Sequence, residues 1–137
     1  MRADPELVNA IRSDDDGRVR ARLAAEPALR AARGEGGESL VALAAYARAR
    51  RVLDVLRPLA ASADSCDLVL LGDAAGLARR LSMHAGAAQE RSGDGWTPLH
   101  LAGYFGHAAV AEQLLDAGAD LAAVSANALA NTPLHAA

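Results

Sequence analysis

The sequence has no lysine, one cysteine and four aromatic residues among 137. Because Cys66 is alone, no internal disulfide can form, which favours a reducing compartment. Apolar runs such as "LVALAAYA" at 40–47 are far too short to span a bilayer, and the amino terminus lacks the apolar segment of a secretory signal. We therefore expect a soluble, cytoplasmic protein that does not enter membranes.

Positive charge is carried by fourteen arginines, the last of which is Arg91. Residues 1–91 have a formal charge of +1, whereas residues 92–137 contain only acidic charges and sum to −4. The net charge of −3 argues against a nucleic-acid-binding protein, because such a protein needs a basic footprint.

Apolar residues make up 52% of the chain, and much of this fraction is alanine. Alanine is the strongest helix former and lets backbones approach closely, so the composition favours closely packed helices. Shifted by 58 residues, the chain matches itself at many positions: Asp15 falls on Asp73, Leu43 on Leu101 and Tyr46 on Tyr104. Residues 4–57 and 62–115 are therefore predicted to be two copies of one larger unit.

Helix-start signals predict two helix pairs in each copy. A capping residue precedes a proline, which suits the first helical position, at Asp4-Pro5, Thr97-Pro98 and Thr132-Pro133. Ser39 can cap a further helix. Thr97 lies 35 residues before Thr132, and a helix–turn–helix unit of this length cannot bury its apolar stripe without neighbours stacked on it.

Residues 94–120, "DGWTPLHLAGYFGHAAVAEQLLDAGAD", resemble an ankyrin repeat at many fixed positions. "NTPLHAA" resembles the start of the next repeat, and "LLGDAAGLARRL" at 70–81 resembles the Gly-Asp opening of a second helix. The resemblance implies an all-α solenoid of stacked helix–turn–helix units joined by hairpin-like loops. With the 58-residue match, it predicts one domain over residues 1–137, divided into repeats at 4–36, 37–61, 62–94 and 95–130 and a partial repeat at 131–137.

Two features depart from the family pattern. The connection at 121–131 is two residues longer than a 33-residue period allows, and it lacks glycine at the hairpin tip. The last apolar half-repeat has no capping repeat. The carboxyl-terminal end is therefore predicted to fray or self-associate unless more chain or a partner covers it.

No catalytic or metal-binding pattern accompanies the repeats, so we predict neither an enzyme nor a cofactor. In the ankyrin family, the histidine of Thr-Pro-Leu-His bonds to backbone and braces the loop, which implies structural roles for His100 and His135. His107, the histidine of Gly-His, is interpreted as structural as well. Cys66 is interpreted as a small apolar residue, and the run Asp14, Asp15, Asp16 as acids that favour a helix start. The basic run "ARARR" at 47–51 is interpreted as a solvated face rather than a phosphate site.

The resemblance also implies a concave surface made by the hairpin tips and the exposed side of the first helices. The position before the threonine and the two positions before Gly-His point to this surface. They hold all four aromatic residues: Trp96, Tyr104, Phe105 and, through the 58-residue match, Tyr46. Tryptophan and tyrosine are common interface anchors. A polar rim is predicted around them, formed by Arg33, Glu38, Arg91 and Asp94. The alternative is that the aromatic residues pack on neighbouring repeats and complete the stack.

The predicted function is a non-enzymatic module that holds another protein on its concave face. The alternative is an ankyrin segment that positions or inhibits a catalytic domain or an enzyme partner. Fold alone does not decide between them. Whether the native reading frame continues past Ala137, and into more repeats or an enzyme, would discriminate.

Overall fold

The computed structural model describes residues 1–59 and 63–136, and within them it contains nine α-helices. The chain divides into two compact units, Met1–Ala61 and Ser62–Ala137. This confirms the predicted all-α class, whereas the number of repeats and their boundaries stay predictions. None of the helices in the described ranges has the length and apolar character that crossing a membrane requires.

The first unit is built from two helix pairs. Helix α1 (Pro5–Arg12) packs on α2 (Asp16–Ala25), and α3 (Leu40–Tyr46) packs on α4 (Arg50–Leu56). The pairs stack, since α1 contacts α3 and α2 contacts α4. The centre of this stack is formed by fully buried side chains from three helices: Leu7 and Ile11 of α1, Val19 of α2 and Val52 of α4.

Two helices of this unit begin at the caps that the sequence predicts. The Asp4 carboxylate accepts the Leu7 N–H at 2.8 Å, and the Ser39 hydroxyl oxygen accepts the Ala42 N–H at 3.1 Å. Each bond satisfies an amide that the helix itself leaves without a partner. Both predicted starts are confirmed.

Helix α4 obtains its cap from elsewhere. Its own N-cap residue is Ala49, which has no side-chain oxygen. The carboxylate of Asp14, in the turn between α1 and α2, accepts the Val52 N–H at 3.0 Å instead. One helix pair thus supplies a capping group to the next.

The second unit contains the remaining five helices. Helix α5 (Ser65–Leu71) packs on α6 (Ala74–Met83), and α7 (Pro98–Tyr104) packs on α8 (Ala108–Asp116). Helix α9 (Pro133–Ala136) lies against α7, and α5 and α6 stack on α7 and α8 in turn. Leu114 and Leu77 are fully buried here, and Leu99 is 4% exposed, as a core residue should be.

The two units repeat each other's local geometry at the 58-residue offset. Helices α2 and α6 have ten residues each and begin at Asp16 and Ala74; α3 and α7 have seven each and begin at Leu40 and Pro98. Left-handed backbone recurs at the same offset, at Asp14, Gly37 and Arg48 in the first unit and at Gly72, Gly95 and Gly106 in the second. The aspartate and the arginine therefore occupy positions where the second unit has glycine.

Candidate protein-binding surface

The hairpin tips of the two units are tight turns, and each is closed by a backbone hydrogen bond at the matching position. In the first unit, the Gly34 N–H donates to the Glu38 carbonyl at 2.8 Å, and in the second the Ser92 N–H donates to the Trp96 carbonyl at 2.7 Å. Gly95 has a φ of 92° and contacts the next connection so closely that a Cβ would lie 2.4 Å from the Ala126 carbonyl oxygen. Only glycine fits this position.

The long connection at 121–131 forms a third tip, although the sequence places no glycine there. The Ser125 N–H donates to the Asn131 carbonyl at 2.8 Å, so this hairpin encloses two more residues than the other two. Ala130 takes the left-handed position, with a φ of 45°. The extra length is therefore absorbed at the tip, and α9 still begins at Pro133 after the predicted Thr132-Pro133 signal.

His100 braces the two tips of the second unit, at 92–96 and 125–131. Its side chain is fully buried, with Nε2 2.6 Å from the Asn131 carbonyl oxygen and Nδ1 2.7 Å from the Thr97 hydroxyl. A carbonyl can only accept, so Nε2 carries the proton, and Nδ1 accepts the Thr97 hydroxyl hydrogen. The structural role predicted for this histidine is confirmed. The side chain of His135 lies outside the described residues.

Trp96 is fixed at the base of its tip. Its backbone N–H donates to the Ser92 hydroxyl oxygen at 2.9 Å. Its indole lies against the His100 ring, with ring centroids 5.4 Å apart and ring planes inclined by 54°. The side chain is partly buried. Backbone and ring are thus both held, one by the turn and the other by the buried imidazole.

The turn between α7 and α8 carries the other aromatic side chains of this unit. Tyr104 is 60% exposed and meets Phe105 edge-on at 4.9 Å between ring centroids. Phe105 in turn stacks with His107 at 6.5 Å. Gly106, with a φ of 72°, permits the sharp reversal that follows Phe105. In the first unit, Tyr46 ends α3 at the position matching Tyr104 and is 38% exposed.

The four residues predicted as a polar rim are attached to their own tips. The Glu38 carboxylate accepts the Gly36 N–H at 3.0 Å, and the Asp94 carboxylate accepts the Ser92 hydroxyl at 2.7 Å. Arg91 is exposed, and its guanidinium is 3.4 Å from the Gly95 carbonyl. Arg33 is exposed, and its backbone pairs with the amino-terminal segment at Arg2. Trp96, Asp94 and Arg91 therefore share one tip, and Arg33 and Glu38 border another.

Sequence reasoning missed the residues that hold the tips in shape. Ser92 and Ser125 each accept a backbone N–H and donate to Asp94 and Asn127 respectively. The Asn127 side-chain amide also donates to the Asp94 carbonyl at 3.1 Å and links the two tips. The signal was present, because the Ser-x-Asp and Ser-x-Asn pairs lie 33 residues apart.

An ion pair lies below the second tip. Arg80 donates to both carboxylate oxygens of Glu90, at 2.7 and 3.0 Å, and the Ser65 hydroxyl donates to the same carboxylate at 3.1 Å. Burial by itself raises the pKa of Glu90, but the bonds from Arg80 and Ser65 outweigh it and leave the pKa below its usual value. The pair ties the start of this hairpin to α5 and α6.

Cys66 lies in the core beside this pair. The residue is 1% exposed, and its Sγ is 3.7 Å from the Trp96 carbonyl oxygen. Burial, reinforced by the nearby carboxylates, raises the pKa of the thiol well above its usual value. A thiol of this kind is not a nucleophile, so its interpretation as a small apolar residue is confirmed. Among the described residues, no group of three or more His, Cys, Asp or Glu could hold a metal ion.

Comparison with known proteins agrees with this architecture. Residues 94–126, which comprise the second tip, α7, α8 and part of the long connection, match the family model described as the ankyrin repeat. A search of curated proteins found no match. The matched family is typically non-catalytic and generally mediates protein–protein binding, and no enzyme family was found. Residues 94–126 therefore form an ankyrin repeat within an all-α chain of stacked helix pairs.

Proposed function

We propose that this chain is a non-enzymatic binding module that holds another protein against the aromatic side chains of its second unit. Tyr104 carries the proposal, because it is 60% exposed in a chain with only four aromatic residues. An exposed tyrosine presents a large apolar face and a hydroxyl at a small entropic loss, which is why tyrosines often anchor interfaces. Tyr46 offers the same chemistry in the first unit.

Rigidity around these residues supports the proposal. Trp96 is held by Ser92 and His100, and Tyr104 is held edge-on by Phe105. Side chains that are already ordered lose little freedom when a partner binds, so more of the contact energy remains as affinity. Asp94 and Arg91, which share the tip with Trp96, provide hydrogen-bonding groups beside the aromatic residues.

The competing explanation is that these aromatic residues complete the packing of the repeats. The contact between Trp96 and His100 gives it some weight, and we expect Trp96→Ala to lower the free energy of unfolding by about 1 kcal/mol. Tyr104→Ala should cost about 0.5 kcal/mol or less, because the side chain is mostly exposed. Tyr104 therefore separates binding from folding more cleanly than Trp96.

The test is a pull-down to find a partner, followed by titration of the purified pair with the wild type and with Tyr104→Ala. We expect the variant to weaken binding by about 2 kcal/mol, roughly thirtyfold, with its unfolding transition almost unchanged. Met83→Ala is the matched control, since Met83 is apolar, 75% exposed and in the same unit. Normal binding by Tyr104→Ala, or equal losses in both variants, would reject the proposed surface.

Two further expectations accompany this function. An enzyme as the bound protein would make the chain a positioning or inhibitory segment, and the same titration applies because the contact surface is the same. Self-association through the second unit is supported by its exposed leucines Leu121, Leu129 and Leu134. Sedimentation at increasing protein concentration would measure it. The cytoplasm, as a reducing compartment, remains the proposed location.

A further inference from the structure

Three arginines lie within four residues of one another in the first unit, at the turn between α3 and α4. We call Arg48, Arg50 and Arg51 the arginine turn. All three are exposed, and in the part of the chain that the structure describes no hydrogen bond or ion pair holds their guanidinium groups. Arg18, Arg22 and Arg57 of the same unit, by contrast, each pair with a carboxylate. The arginine turn therefore presents three guanidinium groups that form no ion pair in the described part of the chain.

The local geometry disfavours arginine at each of these positions. Arg48 has left-handed backbone with a φ of 55°, whereas the matching position of the second unit is Gly106. Arg50 and Arg51 are the first two residues of α4, at the helix end that carries partial positive charge; the acid at this end is Asp14, which comes from the preceding helix pair. The left-handed backbone of Arg48 has no such compensation, and positions of this kind are where functional residues are expected.

Several carboxylates of the first unit bond to groups other than the arginine turn. Asp14 accepts the Val52 N–H, and Asp15 accepts the Arg18 N–H and lies 3.8 Å from the Arg18 guanidinium. Asp54 pairs with Arg57 at 3.8 Å. Asp16, the third acid of the Asp14–Asp16 run, is partly buried. None of these carboxylates forms an ion pair with the arginine turn in the described part of the chain, so its guanidinium N–H donors remain open to a ligand from outside the chain.

We propose that the arginine turn binds an acidic segment of a partner protein, through aspartate or glutamate side chains. Guanidinium groups pair well with carboxylates because their planar N–H donors match the two carboxylate oxygens. A protein segment fits better than nucleic acid, since the chain as a whole is −3 and the Asp14 carboxylate lies at the amino end of α4. Those charges repel a long polyanion more than a short acidic stretch. The inference rests on the proposed protein-binding function and adds the chemistry of the partner.

A fluorescent hexaglutamate peptide, followed by fluorescence anisotropy at low salt, tests the proposal. The test variant carries Arg48→Gln, Arg50→Gln and Arg51→Gln. The control variant carries Arg12→Gln, Arg20→Gln and Arg30→Gln, which are exposed arginines of the same unit, so both variants lose the same net charge. We expect the wild type to bind the peptide saturably. The affinity for the peptide should fall about tenfold in the test variant and less than about threefold in the control variant. Circular dichroism confirms that both variants fold.

Three results of the peptide experiment would overturn the inference. One is the absence of saturable binding, and another is an equal loss in both variants, which would mean that only net charge matters. The third is tighter binding to a single-stranded oligonucleotide of equal charge. The captured partner separates this inference from the proposed function. If its binding is weakened by Tyr104→Ala but not by the arginine-turn variant, the module stands and the acidic contact is wrong.

Discussion

Replacing Arg48 by glycine should stabilise the protein, even though it removes a whole charged side chain. Arg48 is exposed, its backbone has a φ of 55°, and no contact within the described chain depends on its guanidinium. The matching residue of the second unit, Gly106, adopts nearly the same conformation with a φ of 72°. The substitution therefore replaces an arginine, which disfavours left-handed backbone, by a glycine, which adopts it readily.

The magnitude follows from two opposing effects. Left-handed backbone costs a non-glycine residue about 1–2 kcal/mol, which glycine avoids. Glycine loses more conformational freedom on folding, and this costs about 0.5–1 kcal/mol. Removing a positive charge from the amino end of α4 adds a few tenths of a kcal/mol. We therefore expect Arg48→Gly to raise the free energy of unfolding by about 0.5–1 kcal/mol.

Urea denaturation followed by circular dichroism measures this change as a shift of the midpoint at constant slope. Ala47→Gly is the control, because Ala47 is the C-cap of α3 with a negative φ of −81°, so glycine relieves no left-handed strain there. This variant should lower the free energy of unfolding by about 0.5 kcal/mol. Asp14→Gly is the contrast. It relieves the same strain but removes the cap on Val52, so the two effects should nearly cancel. If Arg48→Gly destabilises the protein as much as Ala47→Gly does, the argument from backbone strain is wrong.

Three further outcomes follow from the core and its ion pair. Glu90→Gln should lower the stability by about 1 kcal/mol at pH 7. Because the pKa of Glu90 is depressed in the folded state, this loss of stability relative to wild type should be complete above a pH of about 4.3 and should vanish as the pH falls through the folded pKa. A loss of stability that persists in acid would contradict this. The Cys66 thiol should react with a thiol reagent only at the rate of unfolding, and rapid labelling of the native protein would refute its burial. Leu114→Ala should cost about 2–5 kcal/mol by urea denaturation, and a loss near zero would mean that the core is misassigned.

Local rules predicted the parts of the fold that depend on neighbouring residues. Asp4, Ser39 and Thr97 cap helices because a short polar side chain three residues before an amide can reach it, and spacing alone reveals this. The role of His100 was implied by the Thr-Pro-Leu-His resemblance and holds here, with the bond to Asn131 added.

Contacts between residues far apart in the chain could not be read in the same way. The bond from Val52 to Asp14 joins residues 38 positions apart, and nothing in either local sequence indicates it. The left-handed conformation of Arg48 and Ala130 was hidden for a related reason, since neither is the glycine that normally marks such a turn. For the candidate surface, sequence indicated which aromatic residues to consider, but the exposure of Tyr104 and the contact of Trp96 with His100 required coordinates.

The cap that Asp14 provides to α4 gives the first unit a direction. Helix α4 cannot cap itself through Ala49, so the pair α3–α4 depends on a carboxylate that belongs to the preceding pair. Anyone who recombines these repeats as building blocks would find that they are not interchangeable. If α3–α4 were placed after a different helix pair, the Val52 amide would lose its acceptor unless the turn of the new neighbour also carried an aspartate at the position of Asp14. By contrast, α1–α2 could be moved with its own caps, Asp4 and Asp15, intact.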